Sequence, residues 1–340
     1  MQTVSLARNA MATRFEILLH GENVSALRAA GEAALDDVAR LENQLSLYRP
    51  ASEIAQLNAR AACKAVRVTP ELFAMLQQAQ MLSAETDGAF DITVGPLVRC
   101  WGFTNDRGRL PAPEAIAAAR EQVGMHHVLL DPTDSTVRFA RAGVMLDLGA
   151  IGKGYAVGRA AEILRDAGVT SALIHGGTST TYALGHPPDA PHWLLALENP
   201  PPASAIRDFP TLPAIQLRDE ALSVSAVWGR SFNAGGKTFG HVLDPRTGQP
   251  TEAALLAAVV LPSATETDAL STALLTRGTA VQEPLTSLRP EARTIVVLPT
   301  ASGGQLSTRG SAPIDGPEFG VGDKTTLKKP AATTTFTPRC

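Results

Sequence analysis

Cysteine is scarce in this chain. Cys63, Cys100 and Cys340 are far apart, odd in number and outside any C-x-x-C pattern. That excludes a disulfide framework and a cysteine zinc site. Cys100, beside Trp101, reads as a small buried hydrophobe. A basic excess is missing too: the formal net charge is −3 and the pI near 6.2. Nucleic acid, which calls for a basic face, is therefore not an expected partner. No apolar run approaches the roughly 18 residues that span a bilayer, so no transmembrane segment is expected. The first ten residues lack the apolar core of a signal peptide, which makes the chain as written cytoplasmic. Aromatics are only 5% of the 340 residues, yet hydrophobic residues reach 44%, so the core must be largely aliphatic.

Helix and strand periods alternate irregularly along the chain. Residues 11–20 alternate as a strand. Residues 24–47 place Leu27, Ala34, Val38, Leu41 and Leu45 on one helical face. A short helix carries Ile54 and Leu57, and another opens at Thr69-Pro70 and runs to about Thr86. A further helix spans 113–123. Strands are expected near 127–131, 136–140 and 144–148, then a helix at 153–167. Strands near 171–175, 180–184, 193–198, 214–218, 222–227, 238–243, 254–261 and 293–298 frame a helix at 265–277. Without strict β-α alternation, this is an α+β protein with a mixed sheet rather than a doubly wound one. The compact domain is expected over residues 1–300. Residues 301–340, rich in Gly, Ser, Thr and Lys, read as a partly disordered tail.

Four segments can carry chemistry. In Val144-Met-Leu-Asp-Leu-Gly-Ala-Ile-Gly-Lys-Gly-Tyr-Ala156 an apolar run breaks at glycines and re-forms as a helix. Free N–H groups, a positive dipole end and Lys153 would meet there, which suits phosphate. It is neither a Walker A loop nor a dinucleotide fingerprint, because the spacing fails. A merely tight strand-to-helix turn is the alternative. Asp268 and Thr272, four apart, share a helix face and together offer hard oxygens for Mg²⁺. Alternatively Thr265-x-x-Asp268 caps that helix. His241 precedes the turn Asp244-Pro-Arg-Thr-Gly248, where a base could stand, or where a half-buried hairpin histidine would. In Thr86-Asp-Gly-Ala-Phe-Asp-Ile-Thr-Val-Gly-Pro-Leu97 small residues flank two acids, so backbone could approach a flat ligand. Trp101 and Phe103 could stack on a ring or fill core.

These segments occur in one order, together with Met11-Ala-Thr, Leu45-Ser-Leu-Tyr48, Ser52-Glu-Ile, Leu57-Asn58, Gly176-Gly177 and Thr267-Asp-Ala-Leu-Ser-Thr-Ala. From Met11 to about residue 298 the chain resembles the FAD:protein FMN transferases, the ApbE-type flavin transferases. The resemblance implies a two-subdomain fold that holds flavin between intertwined halves. It implies a Mg²⁺-dependent enzyme that moves the FMN half of FAD onto a Ser or Thr hydroxyl of an acceptor flavoprotein and releases AMP. By motif position, Met11, Tyr48, Ala89, Phe90, Asp91, Asp147, Lys153 and Leu243 would line the FAD. Asp268, Thr272 and the Ala150 carbonyl would hold the metal, with Ser271 an additional candidate. His241 and Lys153 are the expected catalytic pair, as base and as charge.

The chain departs from the family pattern at four places. Ala12 replaces a glycine, Thr178 an Asp or Asn, and Gly158 an acid; Ser225-Ala-Val stands for Thr-Ser-Gly. Family members are usually exported or lipid-anchored, so a missing leader is the alternative to a cytoplasmic location. Two other functions share the same residues: a Mg²⁺-dependent FAD pyrophosphatase, and a non-catalytic FAD-binding protein.

Overall fold

The computed structural model describes residues 1–105, 108–200, 208–301 and 303–310. The chain opens with a hairpin, β1 (Gln2–Ala10) and β2 (Thr13–Gly21). Its two-residue turn, Met11 and Ala12, has φ of 51° and 57°, the primed-turn geometry that matches strand twist. Next come α1 (Val24–Leu45), α2 (Glu53–Arg60), β3 (Val66–Arg67), α3 (Pro70–Glu85), α4 (Gly95–Cys100) and α5 (Pro113–Arg120). β4 (Val128–Asp131) and β5 (Thr136–Phe139) precede α6 (Gly152–Asp166). β6 (Ala172–Gly176), β7 (Thr180–Leu184), β8 (Trp193–Leu195), β9 (Ile215–Leu217) and β10 (Glu220–Ala226) follow. The last elements are β11 (Ser231–Ala234), β12 (Lys237–Gly240), β13 (Leu256–Leu261), α7 (Ala264–Arg277), α8 (Gln282–Leu288), β14 (Arg293–Pro299) and β15 (Gly304–Arg309).

Eight strands form the main sheet in the order β1-β2-β6-β7-β10-β13-β14-β15, which is also chain order. The α+β class holds. Within it every strand-to-strand pairing of the described residues is antiparallel. Parallel pairing survives only as the isolated bridges Val94–Met145 and Asp208–Gly303, so the sheet is less mixed than expected. β15 extends it to residue 309, past the expected end of the compact part at 300. The rest of the expected tail, 311–340, lies outside the described residues. β1, β3 and β11 are also beyond the sequence-based expectation, and 144–148 is not a strand. That segment is held extended by one bridge and by Asn58, whose amide donates to the Leu146 carbonyl at 2.9 Å and accepts its N–H at 2.8 Å.

Helices α1, α6 and α7 cover one face of the sheet. Asn23 caps α1 through Ala26 N–H at 3.1 Å, and the buried stripe Leu27, Ala34, Leu35, Val38, Leu41 and Leu45 faces inward. Gly31 lets α1 settle on the first hairpin, since a Cβ there would lie 2.4 Å from a Leu6 methyl. α7 is buried nearly all round, between the sheet and α6. Trp193, Ile215 and Leu217 pack on the opposite sheet face against Leu222, Val260 and Val297. A third cluster, Leu97, Trp101, Phe103, Ile116 and Leu243, sits apart beside the small β11–β12 hairpin.

Candidate active site

The glycine turn delivers α6 onto α7. A Cβ at Gly154 would sit 2.2 Å from the Ala264 carbonyl oxygen and 2.6 Å from Asp268 Cβ. Only glycine permits that approach, and it lets Gly154 N–H donate to Asp268 Oδ2 at 2.8 Å. Asp268 is 4% exposed. Its Oδ1 accepts Thr180 Oγ1 at 3.4 Å. Among the described residues no cationic side chain pairs with it. The capping alternative falls: Ser263 is the N-cap of α7, its Oγ accepting Glu266 N–H at 3.3 Å. Asp268 is therefore free of capping duty. One turn on, Thr272 Oγ1 and Ser271 Oγ donate to the Asp268 carbonyl at 3.3 and 3.0 Å.

The start of α6 differs from expectation in one respect. The N–H groups of Ile151 and Gly152 donate to Leu148 O at 3.1 and 2.8 Å, and that of Gly154 is taken by Asp268. An anion here would meet the dipole end and Lys153 rather than three open donors. Lys153 Nζ reaches back to Gly149 O at 3.1 Å. Asp147 lies beside it, its Oδ1 accepting Gly149 N–H at 2.8 Å. Burial raises the Asp147 carboxyl above the usual range, against the Gly149 hydrogen bond and the charges of Lys153 and Arg230.

His241 follows β12. Its Nδ1 and its backbone N–H both lie 3.0 Å from the Arg230 carbonyl. A carbonyl only accepts, so Nδ1 carries the proton and Nε2 keeps its lone pair. Burial holds the imidazole below its ordinary pKa, against the hydrogen bond to the Arg230 carbonyl and with smaller help from the Arg230 and Lys153 charges. It is neutral at pH 7, and Lys153 is within electrostatic reach.

The remaining expected residues divide. Ala89 and Phe90 are each 1% exposed, their side chains committed to the main core. Asp91 is turned inward: Oδ1 accepts Thr93 N–H at 2.7 Å and Thr93 Oγ1 at 2.6 Å, and Oδ2 accepts Met125 N–H at 3.1 Å. Burial still raises its pKa. It stands in the wall of a cleft of about 810 Å³ with Asp87, Arg120, Gly124, His126 and Arg246. Asp147 N–H donates to Ile92 O at 2.7 Å, tying that turn to the α6 start. Leu243 is buried with Trp101 and Phe103, which fill core rather than offer a stacking face. Asp244 accepts a two-pronged Arg246 guanidinium, at 2.9 and 2.6 Å, which closes the turn. Met11 is half-buried, its N–H on Glu42 Oε1 at 3.1 Å, and Tyr48 is 58% exposed. Thr180, Ser223 and Ser225, which bond α7 from the sheet, were not anticipated as site residues. Their one sequence signal is hydroxyls on strands that are otherwise apolar.

A model described as the ApbE family matches residues 11–295. The FAD:protein FMN transferase of Klebsiella pneumoniae (strain 342) is 30% identical over 259 residues, 74% of this chain and 71% of that one. The enzyme of the same name from Treponema pallidum is 31% identical over 264 residues, covering 72% of each. Two solved structures match over 90% of this chain. The ApbE protein of Thermotoga maritima does so with a TM-score of 0.79, 28% identity and 96% of its own length. The Pseudomonas stutzeri flavinyl transferase ApbE, in its apo form, does so with 0.75, 29% and 94%. Matching motifs, matching fold and a match spanning most of the chain place this protein in the ApbE family.

Proposed function

We propose that this ApbE-family enzyme transfers the FMN half of FAD to a Ser or Thr hydroxyl of an acceptor protein and releases AMP, with Mg²⁺ as the metal. The observation that carries the reading is the His241 imidazole, held by Nδ1 on the Arg230 carbonyl so that its Nε2 lone pair is available, with burial favouring its neutral form and Lys153 within electrostatic reach. The acceptor O–H gives its proton to Nε2 as the oxygen bonds to the FMN phosphorus. The P–O bond to AMP breaks, and its electron pair leaves with AMP. Lys153 offsets the negative charge of the pyrophosphate.

The donor chemistry fits a magnesium ion. Among the described residues no group of three or more His, Cys, Asp and Glu side chains could hold a metal. Mg²⁺ does not ask for one: it typically takes one or two carboxylates, waters and substrate phosphates. Asp268, buried without a cationic partner, with Thr272 and the Ala150 carbonyl, would hold it. Bound there, it would neutralise pyrophosphate charge. Met11, Tyr48, Asp147, Leu243 and the backbone at Ala89, Phe90 and Asp91 are the proposed FAD contacts.

The test uses the full chain, FAD, Mg²⁺ and a family-type acceptor, read by acceptor mass. The expected gain is one FMN, lost with EDTA. His241→Ala should cut the transfer rate by at least about 10²-fold while FAD affinity changes little. Lost FAD affinity with normal turnover at saturation would overturn the role of His241. Free FMN and AMP with an unlabelled acceptor would favour the pyrophosphatase. Bound FAD without turnover would favour a binding protein.

A further inference from the structure

Two periodicities meet where β10 packs on α7. Ser223 and Ser225 are two apart on a strand, so they share a face and stand about 7 Å apart. Thr267 and Ser271 are four apart on a helix, a rise of about 6 Å. The near match lets each serine meet its own hydroxyl. Ser223 Oγ is 2.8 Å from Thr267 Oγ1, and Ser225 Oγ is 2.9 Å from Ser271 Oγ. Ser225 Oγ is also 3.3 Å from Thr272 Oγ1. Ser223 further donates to Thr180 Oγ1 at 3.1 Å, the hydroxyl that reaches Asp268.

Packing alone does not call for these serines. On neighbouring β13 the residues paired with Ser225 and Ser223 are Ala257 and Val259, both buried in the main apolar cluster. A buried hydroxyl left without a partner costs about 1–3 kcal/mol, which applies in full to Ser223, 0% exposed, and in part to the half-buried Ser225. Ser225 is matched to the part of α7 that carries Thr272. A threonine on a helix divides between two χ1 rotamers, because its hydroxyl can bond the carbonyl one turn back. Thr272 makes that bond, to the Asp268 carbonyl. A second contact from Ser225 selects one rotamer: with the Thr272 proton on the carbonyl, Ser225 donates into one Thr272 lone pair and the other remains for a ligand.

We propose that Ser225 is a positioning residue for the cation site: its direct contact fixes the Thr272 hydroxyl in the orientation a divalent cation needs. The inference rests on the reading of Asp268 and Thr272 as metal donors. Partners that orient metal ligands typically hold about 10–100-fold of metal affinity.

The experiment titrates Mn²⁺, a paramagnetic stand-in for Mg²⁺, into the full chain with FAD and no acceptor, read by electron paramagnetic resonance. Ser225→Ala should weaken Mn²⁺ about tenfold. FAD affinity measured in EDTA should stay unchanged. Ser225→Thr, which restores a hydroxyl, should recover wild-type Mn²⁺ binding within about threefold. Ser225→Ala binding Mn²⁺ like the wild type, or Ser225→Thr binding as weakly as Ser225→Ala, would overturn the proposal. If Ser225→Ala does not fold, the isosteric pair Ser225→Thr and Ser225→Val carries the same comparison. A wild-type chain that takes up no Mn²⁺ would overturn the cation reading itself, and that result appears before any variant is made.

Discussion

The two ends of the candidate site are built in opposite ways. The α6–α7 corner lies in the core: Asp268 is 4% exposed, and Thr180, Ser223, Thr267 and Ser271 are 0% exposed. Its groups are fixed by side-chain hydrogen bonds and by a backbone approach that only Gly154 allows. His241 instead follows a two-stranded hairpin outside the main sheet, whose tip, Gly235 and Gly236, has positive φ. It is fixed by one backbone carbonyl and leans on Phe103, ring centroids 6.5 Å apart. The Phe232, Phe239 and Trp101 rings anchor the hairpin from below. A buried corner suits holding charge in a fixed place, since desolvated interactions are strong. A peripheral hairpin suits a base that must meet a bulky protein hydroxyl.

The difference predicts which changes read out as stability and which as rate. The largest effect is expected at Gly154→Ala. A methyl 2.2 Å from a backbone oxygen forces α6 and α7 apart, at a cost of about 3 kcal/mol or more. Thermal melting should show it, with loss of Mn²⁺ binding alongside; a stable, cation-competent Gly154→Ala would break the comparison. Next is the pH profile. Because burial holds the His241 pKa below that of an ordinary imidazole, transfer at saturating FAD and acceptor should be level through neutral pH. Below that pKa protonation removes the Nε2 lone pair, and the rate should fall about tenfold per pH unit. The folded fraction should be unaffected over the same range near neutrality. A rate that rises on acidification would remove His241 from the role of base. The smallest effect is Ala12→Gly. Ala12 holds φ of 57°, which costs a non-glycine residue about 1 kcal/mol. Glycine should raise the melting temperature by about 2 °C and leave the rate alone. A changed rate would mean that this turn, which carries the proposed FAD contact Met11, acts on the chemistry and not only on the sheet.

How much of this is legible in the sequence depends on how much signal each element carries. Helices α1, α3, α6 and α7 announce themselves by caps, proline at the first turn or long apolar stripes, and their observed ends fall within about two residues of expectation. β1 escapes because its inward face, Val4, Leu6, Arg8 and Ala10, is interrupted by a charged residue, on an edge strand. β15 escapes because Gly304-Gln-Leu-Ser-Thr-Arg309 has the composition of a loop and is a strand only by pairing with β14. Residues 144–148 mislead the other way: an apolar run is buried, but Asn58 occupies its hydrogen bonds where a strand partner would have been. At the site, charged and titratable groups stand out by type. Ser223 and Ser225 do not, because their role arises from the register between a strand and a helix far apart in sequence.

The strands of the main sheet occur along the chain in the order they occupy in space. During synthesis on the ribosome, each new strand can therefore pair with an edge already laid down, and no finished pairing has to open to admit a later one. The long excursion between β2 and β6 leaves and returns at adjacent places, so it can fold as a detour without disturbing the hairpin behind it. Asp268 and Thr272 emerge only after nearly eight-tenths of the chain. A nascent chain would thus carry the Lys153 turn well before the residues proposed to hold metal, and a ribosome stalled before α7 would display the sheet without those proposed donors.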